Sequence, residues 1–267
     1  MLSVSSKRLK VPALATAPPQ NFLSAVTWGP TAAILVTVLS FFLAQVLSAG
    51  VVGLLPSLLG WSREEVNSWL NSVPGQFVFV VVAEGLTLSI LWWFLKRRKV
   101  SIKALGFYRK PLLTDLALVC IGFVVYYALL ALAAGIANSA FHVNLDQKQE
   151  LGFDDVTNNL HRLMAFVSLV VLPPVVEEIV FRGFLYGGLR KKMNMWGAML
   201  VTSLLFAAPH LLESQGGGLL WIAAVDTLVL SFVLCYLREK TGNLWASIGV
   251  HALKNGLAFL YLFILVH

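Results

Sequence analysis

The sequence predicts an all-α fold: a polytopic transmembrane helix bundle of about seven spans, with room for an eighth. Three observations predict it. Of 267 residues, 58% are hydrophobic and only 12% charged, against roughly 45–50% and 25% in an ordinary soluble domain. The mean hydropathy is +0.80, and with 8 Trp and 17 Phe the chain has too little polar surface to cover one water-soluble globule, so much of its apolar surface must face lipid. Finally, the apolar residues come in runs of about 20, the length a helix needs to cross a bilayer. Soluble enzyme classes and intrinsic disorder are excluded by the same figures.

Residues 1–30 read as a cytoplasmic N-terminal tail. Their basic cluster, Lys7, Arg8 and Lys10, is followed by Pro and Ala rather than by a long apolar core, which argues against a cleaved signal peptide. Residues 31–267 read as a single transmembrane domain with spans at 31–55, 75–95, 114–137, 163–185, 196–212, 219–237 and 244–266. The loop at 142–162 is the only other sizeable extramembrane piece, and it is too short for a domain. An interfacial helix is expected either there or near LGFYRKP at 105–111. No internal repeat or low-complexity tract interrupts the pattern. Cys120 and Cys235 lie in apolar stretches with no CxxC spacing, as small buried hydrophobes do.

The net charge is +7, and its location explains it. With the N-terminus inside, fifteen of the 20 Lys and Arg residues fall on the inner side: the tail cluster, Lys96 to Lys99, Lys103, Arg109, Lys110, Arg190 to Lys192, Arg238 and Lys240. The outer side receives Arg63, Lys148 and Arg162 together with seven acids. This is the positive-inside distribution of an integral membrane protein, and it needs no nucleic-acid partner. The compact single-domain build suits a bacterial plasma membrane, with lipid as the surrounding partner.

Ionisable groups inside a span cost a few kcal/mol each and mark functional sites by default. The chain concentrates them in its second half. Span four carries Glu177, Glu178 and Arg182 after Pro173 and Pro174; span five ends Phe206 to His210 with Pro209; span seven carries His251, Lys254 and Asn255. Glu178 and Arg182 are i and i+4 and share one face, whereas Glu177 is turned about 100° away, so the two glutamates are expected to do different jobs. His251 and Asn255 are likewise i and i+4. The prolines should open helix hydrogen bonding beside these residues. One carboxylate, two imidazoles and an amide suit hydrolysis of an amide bond: a glutamate takes a proton from water, and an amide or imidazole N–H stabilises the oxyanion. The same Glu177, His210 and His251 would equally make a His2Glu set for Zn²⁺. The residues alone leave both chemistries open.

EEIVFR (Glu177 to Arg182) resembles an EExxxR motif, FAAPH (Phe206 to His210) an FxxxH motif and HALKN (His251 to Asn255) an HxxxN motif. In that order, each in an apolar helix, they resemble the CAAX-protease and bacteriocin-processing family of intramembrane endopeptidases, which includes type II CAAX prenyl endopeptidases and lysostaphin-resistance-like proteins. The resemblance covers about residues 160–260. It implies that Glu177 and His210 activate water, that His251 and Asn255 hold the oxyanion, and that Glu178 and Arg182 organise the site. Phe206 is expected to pack beneath His210. A mechanism that requires no cofactor is preferred, with Zn²⁺ on Glu177, His210 and His251 as the alternative. A small-solute or ion transporter would use the same intramembrane polar residues, but the chain shows no internal repeat and its polar groups are of the kinds that hydrolysis needs. Lys254 falls outside the motifs. Depth arithmetic at 1.5 Å per residue puts it within reach of Asp226 on span six, with Glu84 on span two as the second choice.

Overall fold

Among the described residues, seven helices are long and apolar enough to cross a membrane: Pro30–Leu58, Val73–Arg97, Leu113–Phe141, Asn159–Arg190, Met195–Leu212, Trp221–Thr241 and Trp245–Leu265. Each overlies one sequence-predicted span. This computed structural model describes residues 22–147, 149, 152–153, 156–214 and 218–265, and among them no β-strand forms. The tail cluster Lys7, Arg8 and Lys10, the loop charges Lys148, Glu150, Asp154 and Asp155, and His267 lie outside the described residues.

The fourth span is the axis of the bundle. Its Val180, Phe181, Phe184 and Leu189 form one core with Trp28 and Ala33 of the N-terminal region, Leu91 and Leu95 of span two, and Met199 and Phe206 of span five. A second core joins spans three, six and seven through Val119, Tyr126, Leu230, Leu234 and Val250. A third collects Val73, Phe153, Ala165, Val170, Phe259 and Phe263. Outside these cores, leucine, valine and phenylalanine side chains such as Leu39, Phe42, Val46, Val124 and Leu132 stand exposed, as a lipid-facing surface requires. Close approach between spans one and four depends on Gly188, where an added Cβ would fall 2.5 Å from Ala33 Cβ.

The last residues assigned to the tail are packed into the bundle. Phe22–Ala25 forms a 3-10 turn, Val26 and Trp28 are buried, and the Trp28 indole stacks on Phe184 while donating to its carbonyl at 2.9 Å.

Three expectations need correction. Cys120, expected to be buried like Cys235, stands exposed on span three, as a lipid-facing position allows, while Cys235 is buried. The extra short helix lies neither in the 142–162 loop, whose described residues before Asn159 hold no helix, nor at 105–111, which follows only a 3-10 turn at Ile102–Leu105. It is Arg63–Asn71, between spans one and two. Ser62 caps it, and the Glu65 carboxylate accepts the Ser62 N–H at 2.7 Å, which holds that carboxyl below the usual carboxylate range. The S-x-x-E pattern was present in SREE and is a sequence-level start signal. Arg238, counted among the inner-loop charges, is instead fully buried within span six. Its guanidinium donates to the Gly242 and Arg182 carbonyls and lies over the Phe22 ring.

Candidate active site

Pro173 and Pro174 set the local geometry. Proline has no N–H, so Pro173 leaves the carbonyl of Leu169, four residues back, without its helical donor. Here the backbone widens: Val167–Val171 is π-helical, with the Leu172 N–H bonding back to the Val167 carbonyl. The orphaned Leu169 carbonyl is taken by the Asn255 side chain of span seven, Nδ2 to O at 2.9 Å. The span becomes π-helical again over Glu178–Leu185. Wide turns of this kind concentrate at functional sites, and at membrane depth they persist because protein covers them.

Within that loosened segment Glu178 and Arg182 pair at 2.8 Å, both side chains completely buried. The Arg182 guanidinium also lies 4.2 Å from the centre of the Phe206 ring, a cation–π contact that offsets part of its desolvation. His251 reaches this pair from span seven, with Nδ1 3.0 Å from Glu178 Oε1. A carboxylate that already accepts from an arginine can only accept again, so Nδ1 carries the proton and Nε2 is the acceptor of the neutral ring. Nε2 faces the other glutamate, 3.7 Å from Glu177 Oε2. The 100° offset between the glutamates is thus real, and the His251 ring spans it. The resemblance implied only that Glu178 and Arg182 organise the site; the contact of Glu178 with His251 Nδ1 comes from the packing.

Phe206 joins the remaining histidine to this group. Its ring is 5.4 Å from that of His210 and 6.0 Å from that of His251, and it packs edge-on to Phe181. His210 sits in the 3-10 turn Pro209–Leu212, where the helix yields at Pro209. Its Nδ1 meets the Phe206 carbonyl at 3.0 Å; a carbonyl only accepts, so this ring too keeps Nε2 as its acceptor. Residues from three helices therefore gather around Phe206, with Asn255 one turn along from His251.

Of the alternative Zn²⁺ set, Glu177 and His251 stand together at 3.7 Å, while among the described residues no group of three His, Cys, Asp or Glu side chains is placed to hold a metal ion.

Lys254 meets the expected acid, with Nζ 3.1 Å from Asp226 Oδ2. What the sequence did not show is the third member, Tyr126 of span three, whose hydroxyl donates to Asp226 Oδ1. The pair thereby ties spans three, six and seven together. Glu84, the second choice for Lys254, is left without a hydrogen bond or ion pair among the described residues, although it is buried. At one end of the bundle Glu239 accepts from Tyr186 at 2.6 Å and pairs with Arg190 at 2.8 Å, holding span six to span four.

Comparison with known proteins agrees with the motif reading. Residues 159–257 match the family model described as Type II CAAX prenyl endopeptidase Rce1-like, and all three motifs fall within this stretch. Among curated relatives, "Uncharacterized protein YyaK" of Bacillus subtilis is 32% identical over 147 residues, 54% of this chain and 46% of the relative. "Putative membrane peptidase YdiL" of the same organism is 32% identical over 93 residues, 35% of this chain and 34% of the relative. "UPF0177 protein YxdF" of Lactococcus lactis is 29% identical over 106 residues, 40% of this chain and 54% of the relative. The matches thus span about a third to a half of the relatives' own length. No solved structure matches the chain.

Proposed function

We propose that this protein is an intramembrane endopeptidase that hydrolyses a peptide bond in a membrane-associated or prenylated, CAAX-type substrate. The observation that carries the reading is the position of His251: Nδ1 tied to the buried Glu178–Arg182 pair, Nε2 turned to Glu177 at 3.7 Å. Such a ring is fixed in orientation and tautomer by the pair and presents its reactive nitrogen beside a carboxylate that no arginine neutralises.

The chemistry follows from these positions. Glu177 accepts a proton from water, which His210 Nε2 helps to orient, and the resulting hydroxide attacks the scissile carbonyl. The oxyanion is held by Asn255, whose Nδ2 has a second N–H beyond the one given to Leu169, and by His251 when Nε2 is protonated. An imidazolium there is balanced by the oxyanion it stabilises, since Glu177 is neutral once it has taken the water's proton and Glu178 is paired with Arg182. Glu177 then returns its proton to the departing amine, so the bond broken is C–N and the added water is fully accounted for. No step is routed through a metal.

The excess of basic residues on one side supports a plasma-membrane protein with its N-terminus inside. The resemblance of the domain to a prenyl endopeptidase and the printed name of one relative support the peptide substrate. The test is proteolysis in nanodiscs of two probes: a fluorogenic peptide bearing a prenylated cysteine four residues from a free C-terminus, and an unprenylated peptide library. Wild-type protein should cleave at least one of them. Glu177→Gln should abolish that cleavage while melting at the wild-type temperature. Absence of any Glu177-dependent cleavage would overturn the reading in favour of solute transport.

A further inference from the structure

Glu84 is 9% exposed, and among the described residues it has no hydrogen-bond or ion-pair partner. A buried carboxylate in a membrane span is costly unless something satisfies it, so its position has to be explained. The packing supplies one. Spans two and four run side by side in the same direction: Val73 of span two packs with Ala165 and Val170 of span four, and Leu91 and Leu95 pack further along with Val180 and Phe184. Glu84 lies between those two contacts, on the same buried face as Thr87, Leu91 and Leu95. Interpolating between them brings it level with the stretch from Pro174 to Glu177. Span two also packs directly against the Leu172–Glu177 segment of span four.

The nearby cations are already engaged. Arg182 is bound to Glu178, Lys254 to Asp226, and Arg238 lies among backbone carbonyls. Two carboxylates close together in a water-poor site with no cation between them cannot both be ionised, and one keeps a proton.

We propose that Glu84 is a positioning residue for the reaction: it holds that proton and donates a hydrogen bond, directly or through one water, to Glu177, fixing the carboxylate that receives the proton of the attacking water. This rests on the endopeptidase reading but extends it to a residue outside all three motifs and outside the matched stretch. In this arrangement Glu84 neither gains nor loses a proton during turnover. Glu177 alone cycles.

Three variants test it with the two peptide probes named above. Glu84→Gln keeps a donor of the same shape and should hold kcat within about threefold. Glu84→Leu removes the donor; because an apolar side chain of similar volume suits a buried site, its melting temperature should equal or exceed wild type, yet kcat should fall on the order of 10²-fold with KM nearly unchanged. Infrared spectra should show the C=O stretch of a protonated buried carboxylic acid in wild type and in Glu177→Gln but not in Glu84→Leu, a readout that needs no activity. Full kcat in Glu84→Leu would overturn the proposal, as would equal loss in Glu84→Gln and Glu84→Leu, unfolding of both, or absence of the infrared band. Glu177→Gln run alongside separates the failures: without Glu177-dependent cleavage the endopeptidase reading falls, whereas with it an active Glu84→Leu removes only the role of Glu84.

Discussion

His251 Nδ1 lies 3.0 Å from Glu178 Oε1, the same oxygen that accepts the Arg182 guanidinium at 2.8 Å. One carboxylate oxygen thus serves both the Arg182 guanidinium and the His251 ring. Removing Arg182 alone (Arg182→Met) leaves a buried, uncompensated charge and should cost about 3–5 kcal/mol. Replacing both members (Glu178→Leu with Arg182→Met) should recover most of that stability. Cleavage should stay lost in the double variant, because His251 then has no acceptor to fix its tautomer. Melting curves in detergent and cleavage rates, read together, check both halves.

Asn255 and Pro173 give a separable test. Asn255→Ala should lower kcat by about 10² to 10³ if its free N–H supports the oxyanion, and should also lower the melting temperature by leaving the Leu169 carbonyl without a donor. Pro173→Ala restores a backbone N–H four residues from that carbonyl. Added to Asn255→Ala, it should therefore recover melting temperature without recovering kcat. Recovery of both would mean that Asn255 acts only on the backbone.

The Lys254–Asp226 pair is about four-fifths buried on each side chain, so losing one partner should be felt. Lys254→Met strands Asp226 with only Tyr126 and should cost about 1–3 kcal/mol. The exchange Lys254→Asp with Asp226→Lys should return part of it, as seen in paired melting measurements.

The short helix Arg63–Asn71 should respond to acid. The Glu65 carboxyl is held below its ordinary value by the Ser62 N–H and hydroxyl, so its contribution is present above the unfolded value and fades as pH falls through the lowered one. Amide exchange in Arg63–Asn71, corrected for intrinsic rates, should quicken over that acidic window in wild type. In Glu65→Gln the dependence should flatten.

The spans were legible in the sequence to within a few residues, because the cost of exposing a backbone N–H or C=O in hydrocarbon ties each crossing to a run of about 20 apolar residues. Helical periodicity likewise determined that Glu178 and Arg182 pair and that His251 and Asn255 share a face, since these are contacts within one helix. The Lys254–Asp226 pair was accessible from depth alone, which a bilayer fixes for every residue of a span. The SREE cap was written in the sequence as plainly, and the short helix it starts was still placed elsewhere. What the tertiary structure decided is everything that depends on rotation and neighbour choice between helices. It turned His251 so that one nitrogen meets Glu178 and the other faces Glu177. It sent the Asn255 amide to the carbonyl that Pro173 had freed, buried Arg238, and laid the span-two face that carries Glu84 against Leu172–Glu177. Hydropathy fixes how deep a side chain lies, but the azimuth of each helix is set by packing among residues far apart in the chain, and no single stretch of sequence carries that information.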